Sequence, residues 1–235
     1  MNAHRLPFAG TTLDLLPERA LWWADGRLLC VSDLHLGKSE RMARRGGALL
    51  PPYETEATLD RLEALVAALD PATVVSLGDS FDDDAAQAAL PEAARLRIAT
   101  LQAGRDWVWI EGNHDPGPVS IGGRHMAELR AGPLTFRHIA DRSGAQGEIS
   151  GHYHPKARLP GGGGSRPAFL ADARRVILPA FGAYTGGLDA GDRAFDGLFD
   201  ARAVAVLCGR KAMPAPLSAC TTRRMAQPPQ GWRPR

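Results

Sequence analysis

Gly151-His152-Tyr153-His154 sets two imidazoles one residue apart, a frequent arrangement for holding a divalent ion. Four stretches upstream carry donors of the same kind: Asp33-Leu34-His35, Gly78-Asp79, Gly112-Asn113-His114-Asp115, and His138. In the first, one intervening residue lets an oxygen and a nitrogen reach the same ion from a single turn. In the second, a carboxylate at the end of a hydrophobic strand is costly to bury unless something positive meets it. In the third, an amide, an imidazole and a carboxylate in succession exceed what a plain turn explains. Taken singly, Asp33-Leu34-His35 reads as a surface turn, Gly78-Asp79 as a helix N-cap and His138 as a core histidine. Taken together they do not, because five of the seven histidines fall in these stretches; only His4 and His125, read as surface residues, lie outside. Mixed oxygen and nitrogen donors without thiolate suit Mn, Fe or Zn and argue against a cysteine-type structural zinc site.

Each stretch follows a segment that reads as a strand, so loops at one sheet edge can bring the donors together. The apolar run 27–32 lies behind an Asp25-Gly26 turn with Trp22 and Trp23 on its other side, which predicts a hairpin leading into Asp33. Residues 54–69 predict a helix with Leu59, Leu62, Leu65, Val66 and Leu69 on one face, stopped by Asp70-Pro71. Buried strands at 73–77 and 107–110 run into Gly78-Asp79 and Gly112-Asn113, with an Ala-rich helix over 84–103, interrupted near Pro91, between them. Shorter strands are predicted at 134–137, 148–150, 168–171, 176–178 and 203–207. Strands and helices alternate in the first half and strands dominate the second, which points to an α/β sandwich with helices covering sheets. The tetraglycine 161–164 reads as a flexible loop. Residues 211–235 hold five prolines and little periodicity, so they are expected to form a basic, disordered tail behind a domain spanning 1–210.

The ordered set D-x-H, G-D, G-N-H-D, H, G-H-x-H resembles the signature of the calcineurin-like metallophosphoesterases, over roughly residues 27–155. The resemblance implies a four-layer αββα sandwich with two divalent ions at the sheet edges. One ion would be held by Asp33, His35 and His154, the other by Asn113, His138 and His152, with Asp79 bridging them. His114 would be a catalytic histidine that binds no metal, oriented by Asp115. Asp33–Lys38, the basic Arg41–Arg45 with Gly46-Gly47, Gly78–Phe81 and Leu178–Gly187 are similar, more narrowly, to the bacterial ligase-associated DNA damage response endonucleases. That likeness implies a manganese-dependent DNA endonuclease or phosphodiesterase, associated with an ATP-dependent DNA ligase and a helicase. A His is expected in that family where this chain has Asp82.

Two adjacent divalent ions sharing a water lower its pKa, giving a nucleophile near neutral pH, and bind the phosphoryl oxygens on which charge develops. An imidazole can protonate a leaving alkoxide, which makes His114 the candidate general acid. Lys38, Arg41, Arg44 and Arg45 follow the first donor loop, and Lys156 and Arg158 follow the last, where they are placed to contact a phosphate backbone. A solvated charged face explains these six equally well. No base-reading module is recognisable, so cleavage of DNA would be largely independent of sequence.

The net charge of +2 divides into +5 on residues 211–235 and −3 on the rest, which is not the signature of a dedicated nucleic-acid-binding domain. Bound cations would reverse the sign locally. Cys30, Cys208 and Cys220 form no CxxC pair or disulfide framework, and Cys30 reads as a core residue. With no signal-like N-terminus and no run long enough to span a bilayer, a reducing cytoplasm is the expected setting, for a monomer or a homodimer. A small-molecule phosphodiesterase, a phosphomonoesterase or a nucleotide pyrophosphatase would use the same centre. A catalytically silent scaffold should have lost donors, yet all are retained here.

Overall fold

The computed structural model describes residues 2–47, 51, 53–117, 120–144, 146–159 and 161–220. The chain begins with three antiparallel strands, β1 (His4–Phe8), β2 (Thr11–Leu15) and β3 (Leu21–Trp23), which lead into β4 (Leu28–Val31). Every position of β4 is buried because both of its faces are covered. Leu29 and Val31 point to one hydrophobic layer, Leu28 and Cys30 to another. A strand buried on both sides reads as a continuous apolar run, which is why this segment was legible as a strand.

After α1 (Lys38–Arg44) and α2 (Glu54–Leu69), β5 (Thr73–Ser76) pairs in parallel with β4. Helices α3 (Asp84–Ala88) and α4 (Glu92–Gln102) follow, broken at Pro91, and β6 (Asp106–Ile110) then pairs in parallel with β5. The short β7 (Arg124–Met126) closes this sheet. Leu59, Leu62, Leu65 and Val66 of α2, with Ile98 and Leu101 of α4, pack against Val74, Trp107 and Trp109 on its outer face.

The second sheet is ordered β15-β14-β12-β13-β10-β9-β8. Its strands are β8 (Glu128–Ala131), β9 (Leu134–Arg137), β10 (Glu148–Ser150), β12 (Arg166–Ala171), β13 (Arg175–Ile177), β14 (Val204–Leu207) and β15 (Met213–Pro216), with β11 (Lys156–Ala157) paired to β12. Phe136, Ile149, Phe169, Val176 and Val206 meet Val75, Val108 and Ile110 of the first sheet to form the central core. The outer face of the second sheet is covered by Phe195, Leu198 and the four-residue α5 (Leu217–Cys220). The molecule is therefore an αββα sandwich whose fourth layer is thin, built from loop, a 3-10 turn at Arg193–Phe195 and α5.

Several expectations are corrected. The domain boundary at 210 falls inside the second sheet, because Met213–Pro216 pairs with β14 and Cys220 is buried. Pro214 and Pro216 are tolerated because β15 is an edge strand, where a missing N–H breaks no central ladder. The rest of the expected tail, 221–235, lies outside the described residues. His125 is not a surface residue: it sits on β7, largely buried, 3.7 Å from Glu111. His4 is half-buried on β1. Strands β1, β2, β7, β8, β11 and β15 had no anticipated counterpart.

Candidate metal centre

Parallel pairing in register aligns the ends of β4, β5 and β6, so the loops carrying Asp33, Asp79 and Asn113 leave one edge together. In the second sheet, β9 and β10 are parallel as well, and their ends present His138 and His152. The two edges are stitched together by backbone. The Phe181 N–H donates to the Ser32 carbonyl at 2.7 Å and the Gly182 N–H to the Asp33 carbonyl at 3.1 Å. A side chain at Gly112 would come within 2.2 Å of the Asp79 backbone nitrogen, so only glycine allows this approach.

The donors form two adjacent groups. Asp33, His35 and His154 have ligand atoms within 4.8 Å of one another, and so do Asp79, His138 and His152. Asn113 Oδ1 lies 2.9 Å from His138 Nε2. Asp79 faces both groups: its Oδ1 is 3.5 Å from His138 Nε2 and its Oδ2 is 4.0 Å from His35 Nε2.

The hydrogen bonds decide where the lone pairs point. His138 Nδ1 is 2.7 Å from the Leu77 carbonyl, which can only accept, so Nδ1 carries the proton. His138 Nε2 then aims a lone pair at Asn113 Oδ1, at Asp79 Oδ1 and at His152 Nδ1, 3.2 Å away. Likewise His35 donates from Nδ1 to Asp82, leaving Nε2 facing His154 Nε2 at 3.4 Å. Asp33 Oδ1 is buried and faces His154 Nε2 at 3.2 Å. Acceptors that converge on acceptors repel unless a cation lies among them, so the residues present fit two metal ions. The alternative is a protonated His138. Burial opposes that charge, but the Asp79 and Asp33 carboxylates outweigh it and raise the His138 pKa. Burial likewise opposes ionisation of Asp79, yet His138, the His114 N–H and His35 hold it well below the usual carboxylate range.

The backbone is strained at these positions. Among the described residues ten non-glycines have left-handed φ, and five of them are Asp33, His35, Asp79, His152 and His154. Each costs on the order of 1 kcal/mol or more, a strain that clusters where function demands it.

His114, half-buried, belongs to neither group. Its N–H donates to Asp79 Oδ1 at 2.9 Å, and its Nδ1 donates to the Asp82 carbonyl at 2.8 Å, leaving Nε2 for another partner. Asp115 does not orient it, contrary to expectation. The Asp115 carboxylate instead accepts the backbone N–H groups of Asp79, Ser80 and Phe81. Chain direction explains this: Asp115 turns inward beneath the Asp79 loop while His114 turns out. Burial pushes the Asp115 pKa up to about 6, against those three donors and aided by the charge of Asp79.

The basic residues divide. Arg41 and Arg44 are held by acids: Arg41 by Asp82 at 2.8 Å, Arg44 by Glu40 and by Asp83 at 2.8 Å. Arg45 is 61% exposed and only 3.8 Å from Asp83. Lys38 lies 4.0 Å from Asp82. Lys156 is partly buried and Arg158 is exposed. Ser32 was missed from sequence, and Asp82 was named there without a role. Ser32 donates to Asp33 Oδ2, and Asp82 lies against His35. Burial opposes the Asp82 charge, but His35 and Arg41 hold its pKa down at about 2. The sequence marked position 82 only as a departure from the His of the narrower family, and its contact with His35 shows only in the fold.

A family model described as calcineurin-like phosphoesterase matches residues 26–151. Among solved structures, the chain is similar to the Pseudomonas putida nuclease MPE. The TM-score is 0.70 at 28% identity, covering 91% of this chain and 100% of that one. No curated protein matches the sequence. No helix among the described residues is long and apolar enough to cross a membrane.

Proposed function

Because this chain belongs to the calcineurin-like phosphoesterase family, a family of hydrolases, we propose that it is a two-metal phosphodiesterase acting on DNA as an endonuclease. The observation that carries the two-metal reading is the placement of Asp79, one carboxylate oxygen toward each of two groups whose lone pairs converge. Asp33, His35 and His154 would hold one ion, Asn113, His138 and His152 the other, and Asp79 would serve both. When bound, the ions supply an activated water near neutral pH and offset charge on the phosphoryl oxygens. The chain's own residues do the rest. Asp115 and Ser32 fix the two carboxylates. His114, anchored through Nδ1, presents Nε2 as the general acid that protonates the leaving alkoxide.

DNA as substrate is supported by the 28% identity to a protein described as a nuclease and by the exposed cations Arg45 and Arg158. Manganese as the ion, a cytoplasmic setting and work beside an ATP-dependent DNA ligase and a helicase rest on the narrower motif resemblance.

A second reading, a small-molecule phosphodiesterase, is favoured by one observation. Arg41 and Arg44 are committed to Asp82, Asp83 and Glu40, which thins the basic surface around the site.

The test is one assay series with Mn, Mg, Zn or no metal, on closed circular DNA, a chromogenic diester and a monoester. Metal-dependent nicking of the circle establishes the endonuclease. Diester cleavage that DNA neither supports nor competes with establishes the second reading.

A further inference from the structure

Residue 82 is joined to more of the site than any ligand requires. The Asp82 side chain is 1% exposed. Its Oδ1 accepts from His35 Nδ1 at 2.8 Å and its Oδ2 from Arg41 at 2.8 Å, with Lys38 Nζ 4.0 Å from Oδ1. Its backbone is fixed too. The Asp82 N–H donates to the Leu36 carbonyl at 3.0 Å, while its carbonyl accepts from His114. Asp82 also lies within 4.8 Å of ligand atoms of His35 and His114, a grouping that resembles a third donor set. Both of its oxygens already accept from N–H donors, however, whereas Asp33 keeps one buried oxygen without any.

We propose that Asp82 is a positioning residue: it locks His35 in the Nδ1–H tautomer, with Nε2 turned toward Asp33 and His154, and Arg41 of α1 holds it there. The inference rests on the two-metal reading. A carboxylate only accepts, so the proton on His35 must sit on Nδ1, and the free lone pair must sit on Nε2. The negative charge behind the ring also makes Nε2 a stronger donor to a cation, and removing such a partner lowers metal affinity by roughly 10–100-fold. Arg41, anchored on the opposite oxygen, stops the carboxylate from rotating off His35. Helix α1 is thereby tied to one ion and not to the other, since neither Asp82 oxygen reaches the Asp79–His138–His152 group. This is a job for Asp82 itself, at a position where a histidine could not accept from both His35 and Arg41.

The test compares wild type, Asp82→Asn and Asp82→Ala in two measurements. Calorimetric titration with Mn reads the affinity of each ion. Long-range nitrogen–proton NMR of the metal-free protein reads the His35 tautomer. Asp82→Ala is expected to weaken one ion by 10–100-fold, leave the other unchanged, and give a mixture of His35 tautomers. Asp82→Asn keeps an acceptor oxygen, so it is expected to retain the tautomer and lose less affinity. It also serves if the alanine variant does not fold. Wild-type affinity and an unchanged tautomer in both variants would overturn the proposal. An equal loss at both ions would overturn it as well, since that marks a merely structural residue. Wild type binding fewer than two ions refutes the two-metal reading instead, and the tautomer measurement still decides the role of Asp82.

Discussion

Asp115 reaches back 36 positions to accept the backbone N–H of Asp79 at 2.9 Å. The same carboxylate takes the N–H groups of Ser80 and Phe81, so it is the floor of the loop that aims Asp79. Each buried N–H left without an acceptor costs roughly 1–3 kcal/mol. Asp115→Ala is therefore expected to lower stability by at least about 3 kcal/mol, with Asp115→Asn losing less. Urea unfolding of the metal-free protein measures this. A residue that only oriented His114 would give an unchanged midpoint and a defect in turnover alone.

His114 has the opposite profile. Its ring contacts the Asp82 carbonyl and leaves Nε2 unengaged, so His114→Ala should fold and bind both ions. Loss of a general acid lowers turnover by about 10²–10⁴-fold. That loss is expected on DNA, whose leaving group is a poor alkoxide, and should shrink on a nitrophenyl diester, whose phenolate needs no proton. Equal losses on the two substrates would remove His114 from the acid role.

Asp79 and His154 separate one ion from two. Asp79 faces both donor groups, whereas His154 faces Asp33 and His35. Asp79→Ala is expected to abolish binding of both ions, and His154→Ala to remove one. Elemental analysis after dialysis reads the stoichiometry directly. Two retained ions in Asp79→Ala would refute the bridge.

Residues at strand ends were legible in the sequence because burial on both faces makes β4, β5 and β6 unbroken apolar runs, each stopping at a donor. The helix at Glu54–Leu69 was legible to its ends, since its apolar stripe and the Asp70-Pro71 stop agree. Strands β1 and β2 were not. Their sequences, His4–Phe8 and Thr11–Leu15, are half exposed and carry Pro7 and Asp14, so pairing partners rather than local pattern make them strands. The partner of His114 was unreadable for a related reason. Adjacent side chains in a turn need not share a direction, and only the fold shows Asp115 turned inward. Asp82 was out of reach because its meaning lies in contacts with His35 and Arg41, 47 and 41 positions away.

The three thiols are buried, and burial raises the pKa of each, that of Cys208 to about 12. A raised pKa means that the fold suppresses the thiolate, the reactive form, at neutral and mildly alkaline pH. At pH 8 the native protein is expected to react slowly with a thiol reagent, Cys220 first because it lies on the last described helix. All three should react at once in urea. Rapid labelling of Cys30 in native conditions would contradict the packing of the central core.

Arg44 and Arg45 give the surface around the site its sharpest test. A phosphate contact contributes about 0.9 to the slope of log affinity against log salt. Arg44 is already held by Asp83 and Glu40, and a phosphate would have to displace both. Arg45, 61% exposed and loosely placed against Asp83, has no such competitor. For DNA binding by a metal-loaded, inactive His114→Ala protein, Arg45→Ala is expected to lower the slope by about one. Arg44→Ala should change it far less. The measurement is a series of dissociation constants across salt concentration. A larger change in Arg44→Ala would refute Arg45 as the phosphate contact and show that the acidic partners of Arg44 release it on binding.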